Sequence, residues 1–188
     1  MVKMLKRKDL IVFYLPTHWN HLDSPSPLFE WAWLDQEKVS LFFSQDVRLN
    51  MFKKFLTKGF IGLVWYKGGE WVSYAWMSPP ESFGPPHLPR GIQRLPVYWI
   101  FYCRTKEIYQ GHGLYKASLR LLAHWARGRD PEAKVYIDTE PKNIASRHAI
   151  KDVGFVPKGI ITTWTLRIPR YSFVIWGRWD QNAPHPKV

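Results

Sequence analysis

A single cysteine, Cys103, stands among the 188 residues. The chain therefore has no internal disulfide and no cysteine-based metal site, the usage expected of a reducing compartment. No window approaches the roughly 18 consecutive apolar residues that a membrane-spanning helix needs. Acidic residues are scarce: 15 Asp and Glu face 27 Lys and Arg, for a formal net charge of +12 and a pI near 9.9. The excess is scattered from Lys3 to Lys187 without a long like-charge block, which argues against a dedicated nucleic-acid arm. It leaves a generally basic surface that attracts polyanions, whether nucleic acid, an acidic carrier protein, a phosphorylated cofactor or an anionic membrane face. No internal repeat is visible. Hydrophobic residues at 46% and charged residues at 22% exclude wholesale disorder, and the length suits one domain spanning residues 1–188. The basic start, Met1 to Asp9, is followed by a short apolar run, Leu10–Pro16, with no small-residue cleavage site, so a cytoplasmic protein is expected.

The order of elements can be read from periodicity and punctuation. Asp9–Leu15 is apolar enough for a strand, His18–Phe29 reads as a loop, and Asp35–Thr57 as helix ended by Lys58-Gly59. Phe60–Tyr66 and Trp71–Met77 flank Lys67-Gly68-Gly69 and form a hairpin. Six prolines and two glycines make Ser78–Pro96 a long rigid loop. Val97–Arg104 is a strand, with Val97, Trp99, Phe101 and Cys103 on one face and Tyr98, Ile100 and Tyr102 on the other. A helix from Gly113 to Arg127 ended by Gly128, a strand Lys134–Thr139, and a helix Asn143–Val153 capped by Gly154 follow. Phe155–Arg167 and Tyr171–Trp179, joined through Ile168-Pro169, close the chain as strands. This order implies an α/β or α+β fold with helices packed on a mixed central sheet.

The chemistry concentrates where the strand ending at Arg104 runs through a polar turn into a helix. Glycines there take positive φ and let backbone approach a ligand, and the first N–H groups of a helix lack partners within it. Strand, Gly-rich turn and helix together make a phosphate cradle. A lone Gly-x-Gly is as well explained by the turn itself. Among the other candidates, Cys103 reads as a buried strand cysteine, His18 and His21 as loop histidines, and most of the 11 tryptophans as packing, with some free to line an acceptor pocket.

The segment Gln110-Gly111-His112-Gly113-Leu114-Tyr115 resembles the acyl-CoA pyrophosphate loop of the GCN5-related N-acetyltransferase (GNAT) family: Gln or Arg, two residues, Gly, one residue, then Gly or Ala. Gln110 and Gly113 match, while Tyr115 departs. Downstream, Asn143, Ser146, Gly154 and Phe155 resemble the family's second block at matching offsets. The resemblance covers a core of about residues 71–157. It implies a central sheet of about seven strands whose fourth and fifth splay apart around the pantetheine arm. It implies that Phe101, Tyr102, Cys103 and Arg104 pair with that arm, that residues 110–115 hold the pyrophosphate, and that Asn143 bonds the arm. A backbone N–H near Tyr102 or Cys103 would polarise the thioester carbonyl.

The implied activity is direct acyl transfer from acetyl-CoA or another acyl-CoA to a primary amine, needing a base and an acid. The family's usual acid, a Tyr seven residues after the Asn, is here Ile150. Ser146, His148, a tyrosine from another element such as Tyr171, or water are alternative acids, and Asp138, Glu140 or a water held there alternative bases. The acceptor is left open among a small molecule, an amino sugar and a protein. Other readings are action on an aminoacyl-tRNA, use of an acyl-carrier protein, a basic nucleic-acid-binding module, or a member that binds without catalysing; a homodimer is compatible with all of them.

Overall fold

A computed structural model describes residues 4–19, 28–168 and 171–186. Its strands are β1 (Met4–Leu15), β2 (Glu30–Leu34), β3 (Ile61–Lys67), β4 (Glu70–Ser78), β5 (Tyr98–Thr105), β6 (Val135–Thr139), β7 (Val156–Ile168) and β8 (Tyr171–Asp180). Its helices are α1 (Gln36–Phe43), α2 (Leu49–Thr57), the single turn α3 (Arg90–Gln93), α4 (Leu114–Arg129) and α5 (Ile144–Val153). The strands form one mixed sheet of eight, ordered β2-β3-β4-β5-β6-β1-β7-β8.

The expected mixed sheet flanked by helices is present, with differences at the N-terminal side. Glu30–Leu34, part of a stretch without clear periodicity, pairs with β3 as an edge strand, Trp31 opposite Trp65. β1 begins at Met4, five residues before the expected start at Asp9, and lies between β6 and β7, antiparallel to both. Pairing with β7 stabilises its basic first half, which local propensity does not, while β6 pairs only with Ile11–Leu15. The single helix expected over Asp35–Thr57 is two. Asp35 caps α1 by accepting from Lys38 N, and Asp46 accepts from the Arg48 backbone N–H in an Asx turn that separates the helices. Helix α4 continues through Gly128 to Arg129. Residues 20–27 of the expected loop and Pro169 of the last connection lie outside the described residues.

Two apolar layers cover the sheet. On one face, α4 and α5 pack Leu119, Leu122 and Ile150 against Ile11, Ile100 and Ile137. On the other, α1, α2 and the 79–97 loop pack Phe43, Phe52 and Leu88 against Val12, Trp76 and Trp99.

Among the described residues β5 and β6 are the only parallel neighbours, and their pairing is confined to Tyr98–Val135, Trp99–Tyr136 and Ile100–Ile137. β5 continues to Thr105 with no β6 partner, so a wedge opens between them. Beside it lies a bulge: Tyr74 and Trp76 of β4 face Arg104 and Phe101, so three steps along β5 match two along β4. Tyr102 takes φ of 49°, the one non-glycine residue with positive φ among those described. The bulge corrects the strict alternation expected of this strand. The Tyr102 ring sits against Tyr74, Phe52 and Phe55, while Cys103 joins the opposite layer with Ile100.

Candidate active site

Two cavities meet in the wedge. The first, about 650 Å³, lies on the α4/α5 side and is lined by Cys103, Arg104, Gln110, Gly113, Tyr115 and Asn143, among others. Gly111 and Gly113 have φ of 80° and 76°, the left-handed conformation that brings the turn onto the start of α4. A Cβ at Gly113 would meet no protein atom within 4 Å, so the residue is needed for conformation and leaves the cavity side open. The first α4 donor to reach a carbonyl is Ala117, onto Gly113. By helix geometry the N–H groups of Leu114, Tyr115 and Lys116 have no partner within the helix, and the helix dipole adds positive character there.

The second cavity, about 480 Å³, takes residues from both faces of the sheet: Tyr102, Asp138 and His87 from one, Cys103, Tyr115, Asn143 and Ser146 from the other. The shared lining of Cys103, Tyr115, Asn143 and Ser146 makes it continuous with the first. The wedge is thus a passage through the sheet.

The second cavity is built on a buried carboxylate. Asp138 lies near the end of β6, its side chain 7% exposed. His87 Nε2 lies 3.0 and 3.2 Å from its two oxygens, and Trp99 Nε1 donates to it at 2.7 Å. Burial alone would raise the Asp138 pKa, but the charge and hydrogen bond of His87, the Trp99 N–H and nearby Lys8 outweigh it and hold the carboxyl below its usual range. A carboxylate accepts only, so in the neutral ring Nε2 carries the proton and Nδ1 is left with a lone pair. The imidazole is 38% exposed and reaches the passage from the long proline-rich loop.

The phenol of Tyr115 lines both cavities. Burial raises its pKa well above 10, with neighbouring Ser146 acting in the opposite direction, so it stays protonated. Its ring packs against the core layer that contains the fully buried Ile150. Burial pushes the Cys103 thiol up to about 12, leaving it protonated and unsuited to attack.

The sequence candidates divide accordingly. Asp138, Ser146, Asn143, Tyr115 and residues 101–104 line the two cavities. Asn143 spends its carbonyl on capping α5, accepting from Ser146 N at 3.1 Å, which leaves its NH₂ to donate. Glu140 is at the rim, bound to Lys8 at 2.7 Å, and this partner lowers its pKa and its value as a base. His148 is exposed on α5 and His112 turns its Nδ1 toward the carbonyls of Tyr109 and Gln110; neither lines these cavities. Leu114 contributes backbone, its side chain buried against Phe29 and Trp65. The Tyr171 side chain and His21 fall outside the described residues. His87 was missed, because a histidine in a loop shows no periodicity and its partner lies 51 positions away. No group of three or more His, Cys, Asp or Glu is close enough to hold a metal among the described residues.

A strand splayed from its parallel neighbour, a Gly-rich turn and an exposed helix start agree with what the chain resembles as a whole. The model of the acetyltransferase (GNAT) family matches residues 16–155, and the chain belongs to that family. Among solved structures, a GNAT-family acetyltransferase from Colwellia psychrerythraea superposes with a TM-score of 0.60 at 12% identity, covering 91% of this chain and 57% of its own. A Drosophila protein gives 0.63 at 13%, covering 89% and 53%. An aminoglycoside N-acetyltransferase, AAC(6')-Iy, solved with CoA gives 0.51 at 13%, covering 68% and 91%. The chain therefore spans just over half the length of the first two, and likeness at such identity describes the fold. No curated protein matches the chain. Among the described residues no helix is long and apolar enough to cross a membrane.

Proposed function

We propose that the protein is an N-acyltransferase that uses acetyl-CoA or another acyl-CoA and delivers the acyl group to a primary amine by direct attack. One observation carries this reading: the passage through the β5/β6 wedge joins a phosphate cradle on one face to a His–Asp pair on the other.

The residues present fit a CoA. The free N–H groups at the start of α4, the turn Gln110–Gly113 and the side chains of Arg104 and Lys116 suit a pyrophosphate. The edge of β5 beyond Ile100, unpaired with β6, suits the amides of a pantetheine arm. When bound, the thioester supplies an activated acyl carbonyl.

His87 Nδ1 accepts the proton of the incoming ammonium, and Asp138 holds the ring in the required tautomer and stabilises the imidazolium that forms. Tyr115 donates toward the departing sulfur, taking over the role of acid that Ile150 vacates. Ser146 orients the phenol. The fully buried Trp99 fixes Asp138, so this tryptophan serves the site as well as the core.

The test is thermal unfolding with acetyl-CoA, followed by thiol release in the presence of amines. At 100 times its dissociation constant the ligand adds about 2.7 kcal/mol to stability. A melting curve unmoved by CoA, acetyl-CoA and longer acyl-CoAs would remove the cradle assignment.

A further inference from the structure

Beyond His87 the passage opens into a larger groove of about 910 Å³, walled by β1, the 86–93 segment of the loop, residues 140–142 and the last two strands. Lys8, Leu10, His87 and Glu140 line both spaces, so the groove is the outward continuation of the acceptor side. Its volume is in the range of small-molecule sites.

The charge in this groove is lopsided. Five cationic side chains, from Lys6, Arg7, Lys8, Arg90 and Lys142, line it, with two carboxylates, Asp9 and Glu140. Both carboxylates are already engaged: Arg7 is 3.2 Å from Asp9 and Lys8 is 2.7 Å from Glu140. Lys6, Arg90 and Lys142 make no ion pair among the described residues. These three come from β1, the loop and the turn after β6, segments far apart in sequence. The scattered basic residues of the sequence therefore include a set that the fold gathers at one place.

We propose, resting on the acyltransferase reading above, that this groove binds the acceptor and that the acceptor is an anionic amine: a primary amine carrying a phosphate or carboxylate at its far end. The amine reaches His87 while the anion lies among Lys6, Arg90 and Lys142. A polycationic acceptor is repelled by the same residues. The arrangement also assists the chemistry, because positive charge near the bound amine disfavours its ammonium form and lowers the cost of removing the proton. A small acceptor is favoured over a nucleic acid because the cations line a bounded groove leading to the passage.

The test is calorimetric titration of the protein, with and without saturating CoA, using aminohexanol, aminohexyl phosphate and aminohexanoate. No acyl group is present, so the outcome is independent of whether transfer occurs. An anionic amine should bind at least about tenfold more tightly than the alcohol, with a preference that shrinks as salt rises. The tighter of the two anionic amines identifies the anion recognised. In the double variant Arg90→Ala, Lys142→Ala the discrimination should fall to near unity. Equal binding of all three amines, or a preference that survives in the double variant, overturns the proposal. So does sub-micromolar binding of deacylated tRNA at physiological salt that the anionic amines fail to displace.

Discussion

Replacing Asp138 with asparagine asks the most of the site with the least change in shape. The carboxylate accepts from Trp99 at 2.7 Å and faces His87 Nε2 at 3.0 Å. The amide can keep the first bond with its oxygen, but it then presents NH₂ to Nε2. Two donors cannot share that contact, so the imidazole shifts its proton to Nδ1, the nitrogen needed as base. A positioned general base contributes about 10²- to 10⁴-fold, and kcat should fall by that order. The stability cost is smaller. Losing one charge-assisted bond costs about 1.5–3 kcal/mol, partly offset by removing a buried charge. For a domain of this size each kcal/mol lowers Tm by about 2–4 °C. Thiol-release kinetics across pH, beside thermal shifts with acetyl-CoA, separate the effects. The expected result is a large loss of kcat, a modest fall in Tm and a retained acetyl-CoA shift, with His87→Ala showing the same loss and partial rescue by added imidazole. A kcat within about threefold of the parent, with the acidic limb of the pH profile unmoved, refutes the assignment and returns the base to Glu140 or water.

Three further outcomes follow from the same geometry. Tyr115→Phe should lower kcat by about tenfold, less than a full general acid contributes because a thiolate leaves readily, while the acetyl-CoA thermal shift persists; parallel loss of kcat and cofactor affinity would make the phenol a packing element. Gly113→Val places a β-branched residue at φ of 76°, and CoA affinity measured by calorimetry should drop by more than fold stability does; equal losses would mean that the glycine serves the turn alone. Asp138 has a depressed folded pKa, so its contribution to stability is full above the unfolded carboxylate value of about 3.9 and is lost as pH falls through the lower folded value. The Tm gap between the parent and Asp138→Asn should accordingly close in acid, and a gap constant from pH 7 to pH 2 would contradict the pairing.

The sequence by itself determined the parts of the fold that short-range rules control. The Gly68-Gly69 hairpin needs positive φ at both residues and has it, at 58° and 79°. The stop of α5 at Gly154, with φ of 107°, and the helix start after Gly113 are equally local, so the cradle was legible from one run of six residues. Asn143 and Ser146 were picked out by their resemblance to the family's second block, and the structure adds that Asn143 caps α5 by accepting from Ser146 N.

Only the tertiary structure decided what sequence neighbours do not constrain. The insertion of β1 between β6 and β7 rests on two non-local ladders, and the one with β7 carries Lys6 and Lys8 to the groove. The bulge that turns Tyr102 and Cys103 to opposite layers depends on the register of β4 against β5, a property of the pair and not of either strand. His87 meets a carboxylate only because a proline-rich loop sets it against Asp138, buried on another strand, and Tyr115 joins the core layer of Ile150 only because α4 packs beside α5. Helix caps and turns are settled within a few residues, whereas a proton-transfer pair requires two distant segments to bury a charge together, and its stabilisation exists only once they have met.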